Sequence, residues 1–358
     1  MDAWRPALIV SAVVIVALVA ASTAPKAPAG PAWEGAAPIT AWRYASMIRV
    51  GLAVNWLNYP RVEHWYFYWR NRGVSIAGLV RAEGFDHVRI RVSGDVVSNK
   101  TLLRLLGVVV YDCLRAGLAP IITYTANDLR EHPTSPEAQR HFVEWWVTVA
   151  EYLRGAPYLV SYDLIIETSG AIRDEAPILN KVYNETIEAI RRVDPYRIII
   201  VTPPEASSPF ALDELRVHFD DYMMVEWHIY AGGPKGPSGE PYNETLIEEA
   251  IAHAEEWSRA HGVPVWMGAW RPNRYPKHGI QHYPDGAPRG VYSLRVAVEF
   301  SRYMAATLCN HGIPFTVNAD TLFLDYQHAR WYPSQEAVLD AILGPCRHVA
   351  STEAPSTQ

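Results

Sequence analysis

Two short stretches carry side chains able to move protons. LIIETSG places Glu167 behind an apolar run, and MMVEWHIY sets Glu226, His228 and Tyr230 at every second position. A period of two puts those three on one face of a strand. Arg89 and Arg91 in DHVRIRV obey the same spacing. A carboxyl held among apolar neighbours has its pKa pushed toward neutrality, which suits it to donate a proton. Glu167 is therefore the expected general acid, with His228 and Tyr230 orienting it or bonding a ligand. The structural alternative pairs Glu167 with an arginine.

These residues need a scaffold that gathers strand ends. Eight short Val/Ile-rich runs read as strands: MIRVGLAVNW, DHVRIRV, APIITYT, YDLIIET, YRIIIVT, YMMVEWHIY, VPVWMGA and IPFTVNA. Near-continuous apolar runs suit strands buried on both faces. Helical patterns lie between them, among them TLLRLLGVVVYDCLRAG and SPEAQRHFVEWWVTVAEYLRG. In SPEAQ, Ser135 is an N-cap and Pro136 the first helical residue. Alternating units of this number predict a (β/α)8 barrel, with function at the C-terminal strand ends. A doubly wound open sheet is the alternative, but it usually carries a Gly-rich phosphate loop and none is found.

The strand ends then nominate the site. Asn55, Trp56 and Asn58 end the first strand, and Thr123, Thr125, Asn127 and Asp128 the third. Glu205 follows the fifth, Ala269 and Trp270 end the seventh, and Asn318 and Asp320 the eighth. Trp56, Trp65, Trp227 and Trp270 could stack flat ligands such as sugar rings. Asn55, Asn58 and Asp320 could bond their hydroxyls. Each Trp has a competing reading as core.

In order and spacing, the segments from Ile48 to Tyr326 resemble clan A glycoside hydrolases, especially glycoside hydrolase family 5, the cellulases and mannanases. GFDHVRIRV is similar to the second-strand motif, whose active-site arginine maps to Arg89. YDLIIET resembles the fourth-strand motif that ends on the acid/base, mapping to Glu167, and DPYRIIIV the run into the fifth strand. EWHIY is similar to the sixth strand, giving His228 and Tyr230. GVPVWMGAW resembles the seventh, which normally ends Gly-Glu and supplies the nucleophile. The resemblance implies hydrolysis of a β-linked polysaccharide, cellulose-like glucan first and mannan second.

Four positions depart from the pattern. Ala269 stands for the nucleophile, Ile166 for the Asn before the acid, Thr125 for a His and Asn318 for a Trp. Retaining cleavage needs two carboxyl groups about 5 Å apart, and inverting cleavage about 6.5–9.5 Å. A methyl group supplies neither role. A buried Arg89 needs an anionic partner. Glu226 is the first candidate for that partner and for a substitute nucleophile; Asp320 and Glu205 follow. The alternative is an inactive relative that binds polysaccharide, with Glu226 a structural acid on Arg89.

The remaining sequence sets the context. The chain has 358 residues and a net charge of −6, with no cluster of Lys and Arg. Nucleic acid is not an expected partner. His253 and His261 lack metal-ligand spacing, and no cofactor is expected. Residues 1–22 hold the apolar run ALIVSAVVIVALVAAS behind Arg5, read as a signal peptide or membrane anchor. A secreted or cell-surface location follows. Residues 23–38 read as an Ala/Pro-rich linker, 39–348 as the barrel and 349–358 as a disordered tail. Sequons at Asn99, Asn184 and Asn243 agree with export. Cys309 and Cys346 could pair, or remain buried thiols. A monomer is expected.

Overall fold

A computed structural model describes residues 37–232 and 241–352. The N-terminal apolar run, nearly all of the linker and residues 353–358 lie outside the described residues. Eight strands line the interior: β1 (Val50–Leu57), β2 (His87–Val92), β3 (Ala119–Tyr124), β4 (Ser161–Asp163), β5 (Ile198–Val201), β6 (Met223–His228), β7 (Val265–Trp270) and β8 (Phe315–Asn318). They are parallel and close in the order β1-β8-β7-β6-β5-β4-β3-β2. The chain is a (β/α)8 barrel. The open-sheet alternative fails because this sheet has no edge.

Every barrel strand is buried along its whole length, which is why the sequence shows unbroken apolar runs. Alternation still sorts the two faces. Val225 and Trp227 of β6 join the large core between barrel and helices, whereas Met224 joins a smaller interior cluster with Ile121, Ile198, Ile200 and Trp266. The helix Ala41–Met47 closes the floor of the barrel, adding Tyr44 and then Ile48 to this cluster. The Tyr44 hydroxyl sits 2.9 Å from Ser161 Oγ.

The helices start and stop where the side chains dictate. Ser135 Oγ accepts from Ala138 N, with Pro136 opening the helix Pro136–Tyr152. Gly117, at φ +79°, ends Lys100–Ala116 in the left-handed conformation that glycine tolerates best. The three sequon asparagines all serve the fold. Asn99 and Asn243 are N-caps, accepting from Leu102 N and Leu246 N at 3.0 Å each. Asn184 ties its helix to the Arg216 carbonyl at 2.8 Å.

Besides short helices such as Ala41–Met47 and Asn127–Glu131, two longer ones were not foreseen. Pro60–Arg70 directly follows β1; its many aromatics hide the helical period. Glu336–Thr352 is the last element among the described residues and runs into the segment read as a disordered tail. Cys309 and Cys346 form a disulfide, Cα–Cα 5.4 Å, pinning this last helix to Leu294–Asn310. Closing a 37-residue loop stabilises the fold by roughly 3–4 kcal/mol in the chain-entropy account. Cys113 is the buried free thiol among the described residues. No helix among them is long and apolar enough to cross a membrane.

Candidate active site

Arg89 is the hub of the barrel mouth. It is fully buried, as are Asp163 of β4 and Glu226 of β6. Its Nε donates to Asp163 Oδ2 at 2.7 Å, and its Nη2 lies 2.6 and 2.8 Å from the two oxygens of Glu226. Nη2 also donates to the Ile166 carbonyl at 2.8 Å, and Nη1 to the Gly268 carbonyl at 3.3 Å. One guanidinium thereby holds the backbone beside Glu167, the carboxylate of β6 and the backbone beside Ala269. Its five donors in a planar fork suit this better than a lysine would.

Two carboxyl groups share this cation. Burial pushes the Asp163 carboxyl well above its ordinary range, and Glu226 beside it adds to the effect against the pull of Arg89. Of the two carboxyls on Arg89, Asp163 is thereby biased toward its protonated form. Sequence reasoning missed Asp163. The signal was present: it lies two residues after Ser161, on the face of β4 that looks toward Arg89.

His228 links the buried layer to the surface. Its Nε2 is 2.5 Å from Glu226 Oε1, and its Nδ1 is 3.3 Å from Glu167 Oε2. Burial opposes the imidazolium, but Glu226 and Glu167 outweigh it, so the His228 pKa is raised. Glu167 is the partly open member, with 30% of its side chain exposed. The expectation that burial would raise its pKa is overturned. Burial does push upward, yet the His228 bond and charge, with Ser169 and Arg130, hold Glu167 down to about 2. In this arrangement Glu167 is held ionised at neutral pH.

This pair predicts a pH window. Glu167 titrates below its unfolded value of 4.5, so its contribution is complete above 4.5 and fades as pH falls toward 2. His228 titrates above 6.5, so its contribution is complete below 6.5 and fades as pH rises through the folded value. The stability lost in Glu167→Gln should therefore be greatest between pH 4.5 and 6.5. Denaturation of both proteins across pH measures it; a loss that does not vary with pH would refute the ion pair.

Local turns place Glu167. β4 ends at Asp163, earlier than the sequence suggested, but Ile166 N still bonds the Tyr124 carbonyl at 2.9 Å. Beyond Glu167, Thr168 Oγ1 donates to the Pro203 carbonyl at 2.7 Å and accepts from Ser207 N at 2.9 Å. This laces Glu167 to a left-handed turn, Glu205 to Ser207, with φ of 56°, 60° and 62°. Glu205 itself is exposed on that turn and is no partner of Arg89.

At the seventh strand the register shifts. Trp227 pairs with Met267, but His228 pairs with Ala269, so Gly268 is the extra residue. A Cβ on Gly268 would overlap the Glu226 carboxylate, which is why the residue before Ala269 is glycine. Ala269 is 1% exposed. Glu226 is thus near Glu167, one imidazole away, but it lies below the mouth, fully buried with both oxygens engaged. It corrects the expectation of a substitute nucleophile: Glu226 is the anion of Arg89.

A second polar cluster joins β1, β2 and β8. Arg91 Nη2 donates to Asn318 Oδ1 at 2.5 Å, and Asn318 Nδ2 to the Tyr230 hydroxyl at 3.0 Å. Asn55 Oδ1 accepts from Arg91 at 3.3 Å and from Asn58 at 2.9 Å. Asp320 is fully buried, bonded to Asn55 and Tyr326, and is a tether of β1 rather than a ligand contact. Asn55 is likewise buried and committed. Tyr230, 41% exposed, and the half-buried Asn58 remain open at the mouth.

Three of the four proposed tryptophan platforms are also corrected. Trp56, Trp227 and Trp270 are fully buried between barrel and helices. Trp56 bonds Tyr326, and Trp270 packs edge-on to Phe300. Each occupies the outward phase of its strand, which the apolar runs alone did not disclose. Trp65, on Pro60–Arg70, is partly exposed.

Comparisons place this geometry among known proteins. The model of the cellulase family, glycosyl hydrolase family 5, matches residues 50–273. Endoglucanase H of Acetivibrio thermocellus is 20% identical over 279 residues, 74% of this chain and 29% of that protein. The chain thus spans under a third of that relative. Endoglucanase Cel5A of Thermotoga maritima superposes with a TM-score of 0.69 at 18% identity, covering 85% of this chain and 100% of that one. The family 5 enzyme PbGH5A of Prevotella bryantii gives 0.70 at 14%, covering 87% and 99%. At these identities the structural likeness speaks for the fold. The family match, covering more than half of the sequence, decides kinship: the chain belongs to glycosyl hydrolase family 5.

Proposed function

We propose that this protein binds a β-linked polysaccharide at the barrel mouth and does not cleave it by the two-carboxylate route. A β-1,4-glucan is the first expected ligand and mannan the second, in line with the relatives named as endoglucanases. The observation that carries this reading is the pairing of Ala269 with a buried Glu226. The nucleophile position bears a methyl group, and the nearest substitute has both oxygens engaged by Arg89 and His228. Glu167, ionised by His228, would accept hydrogen bonds from sugar hydroxyls rather than protonate a leaving group. The partly exposed Glu167 also favours a second reading, a hydrolase in which ligand binding displaces His228 and returns a proton to that carboxyl. Export is part of the proposal, supported by the apolar N-terminal run and the Cys309–Cys346 disulfide.

The test is binding and product release measured on the same preparation. With soluble β-glucan and mannan, saturable binding and no new reducing ends are expected. Glu167→Gln should keep affinity within a few-fold. Hydrolysis with a bell-shaped pH profile, lost in Glu167→Gln, would establish the hydrolase instead. No binding to either glycan would overturn both readings.

A further inference from the structure

Arg91 lies on the same face of β2 as Arg89, two residues nearer the mouth, and the fold leaves it without an anion. Arg89 pairs with Asp163 and Glu226. Arg91 is 8% exposed, has no carboxylate in ion-pair contact among the described residues, and its Nε has no hydrogen-bond partner. Its Nη2 donates to Asn318 Oδ1 at 2.5 Å and its Nη1 to Asn55 Oδ1 at 3.3 Å, both neutral amides. The Asp320 carboxyl is reached only through Asn55, whose Nδ2 donates to Asp320 Oδ1 at 2.7 Å. Burial and the Arg89 charge push the Arg91 pKa down, whereas Asp163 and Glu226 hold that of Arg89 up against burial. A buried cation with no paired anion is costly, and a bound anion relieves that cost.

Asn318 links Arg91 to the open part of the mouth. Its Nδ2 donates to the Tyr230 hydroxyl at 3.0 Å, and Tyr230 is 41% exposed. Among the described residues that hydroxyl has no acceptor for its own proton. Arg271 directly follows β7, with its Cζ 5.6 Å from the centre of the Tyr230 ring. It is exposed and likewise has no carboxylate partner among the described residues. The Tyr230 ring lies 6.4 Å from that of His228, whose Nδ1 is 3.3 Å from Glu167. Contacts therefore run unbroken from Arg91 to Glu167. The Tyr230 hydroxyl registers all of these charges: burial and Glu167 push its pKa up, while Arg271 and Arg91 pull it down.

From this geometry we infer that the mouth prefers an acidic glycan, the carboxylate of a uronic acid residue resting on the Tyr230 hydroxyl and the Arg271 guanidinium, on the side that Arg91 makes positive. The inference rests on the glycan-binding reading above and deepens it by naming the charge class of the ligand. A carboxylate suits these donors. The guanidinium fork offers two parallel N–H groups, and bonds between charged partners are roughly twice as strong as neutral ones. A neutral hydroxyl group would leave the Arg91 charge unmatched. Glu167 does not stand against an anion, because His228 already pairs with it. The loop after β7 adds potential of the same sign. It carries Arg271, Arg274, Lys277 and Arg289 against one carboxylate, Asp285, which accepts from Ser334 at 2.8 and 3.1 Å. The chain as a whole has a net charge of −6, so the positive field belongs to this side of the mouth.

The experiment is calorimetric titration of the full chain with four β-1,4-linked tetrasaccharides, of glucose, glucuronate, mannose and mannuronate. Within each hexose pair the two members differ at carbon 6 alone. In at least one pair the uronate should bind about tenfold more tightly than its neutral partner. Arg271→Gln and Arg91→Gln should each lower that ratio about threefold or more. Arg302→Gln removes an exposed cation from the helix Leu294–Asn310, outside the barrel, and should leave the ratio unchanged. If Arg91→Gln fails to fold, Arg271→Gln decides. Equal affinities within both pairs, a ratio that survives Arg271→Gln, or an equal drop in Arg302→Gln would each overturn the acidic preference while leaving glycan binding intact. A native chain that binds none of the four would overturn the glycan reading itself.

Discussion

Arg89→Met should cost about 3–5 kcal/mol of stability, the range for breaking a buried ion pair by removing one partner. The methionine roughly fills the volume, so the loss is electrostatic. Asp163 and Glu226 would be left fully buried without the guanidinium they share, and the Ile166 and Gly268 carbonyls would each lose a donor. Glu226 would have to take up a proton or a water. The triple variant Arg89→Met, Asp163→Asn, Glu226→Gln removes the charges together and should recover much of the loss, because full replacement of a buried network is often nearly neutral. Chemical denaturation at neutral pH compares the three proteins. An Arg89→Met midpoint equal to the native one would show that the guanidinium does not hold the mouth together.

The second large effect concerns chemistry. Exchanging the carboxylate between strands, Glu226→Ala with Ala269→Glu, should release reducing ends from soluble β-1,4-glucan at a rate roughly 10²-fold or more above the no-enzyme background, where the native chain stays at that background. The exchange conserves charge around Arg89, whose Nη1 already touches the carbonyl just before position 269. It also frees His228 Nε2 from its 2.5 Å contact with Glu226. That removes the strongest force keeping the imidazole protonated, and with it the force holding Glu167 ionised. Glu167 could then carry the proton a general acid needs. Ala269→Glu alone should fail, since two carboxylates would compete for one guanidinium beside Asp163. A folded exchange variant that remains inert would show that the missing nucleophile is not what silences the mouth.

Some of this was legible in sequence and some was not, and particular residues show why. Arg89, Glu226 and His228 were readable because a strand period of two puts them on the inward face, and a buried arginine demands an anion. Asp163 obeyed the same rule and was overlooked beside the more conspicuous Glu167. The tryptophans misled. Trp56, Trp227 and Trp270 follow strands as apolar on both faces as a parallel barrel requires, so composition could not tell platform from core. Helix Pro60–Arg70 hid for a related reason: its aromatics cover both faces and blur the period.

What the sequence alone determined is the barrel, its eight strands, the caps at Ser135 and Gly117, and the methyl group at Ala269. These depend on short-range patterns: alternation, capping side chains and residue identity. What only the tertiary structure decided is the electrostatic state of the mouth. Glu226 and Glu167 are 59 positions apart in the chain, yet one imidazole touches both. Whether a carboxyl is an acid or a fixed anion depends on which charges surround it. Barrel closure brings those charges together from β2, β4 and β6, and it turned the expected proton donor, Glu167, into an ionised acceptor.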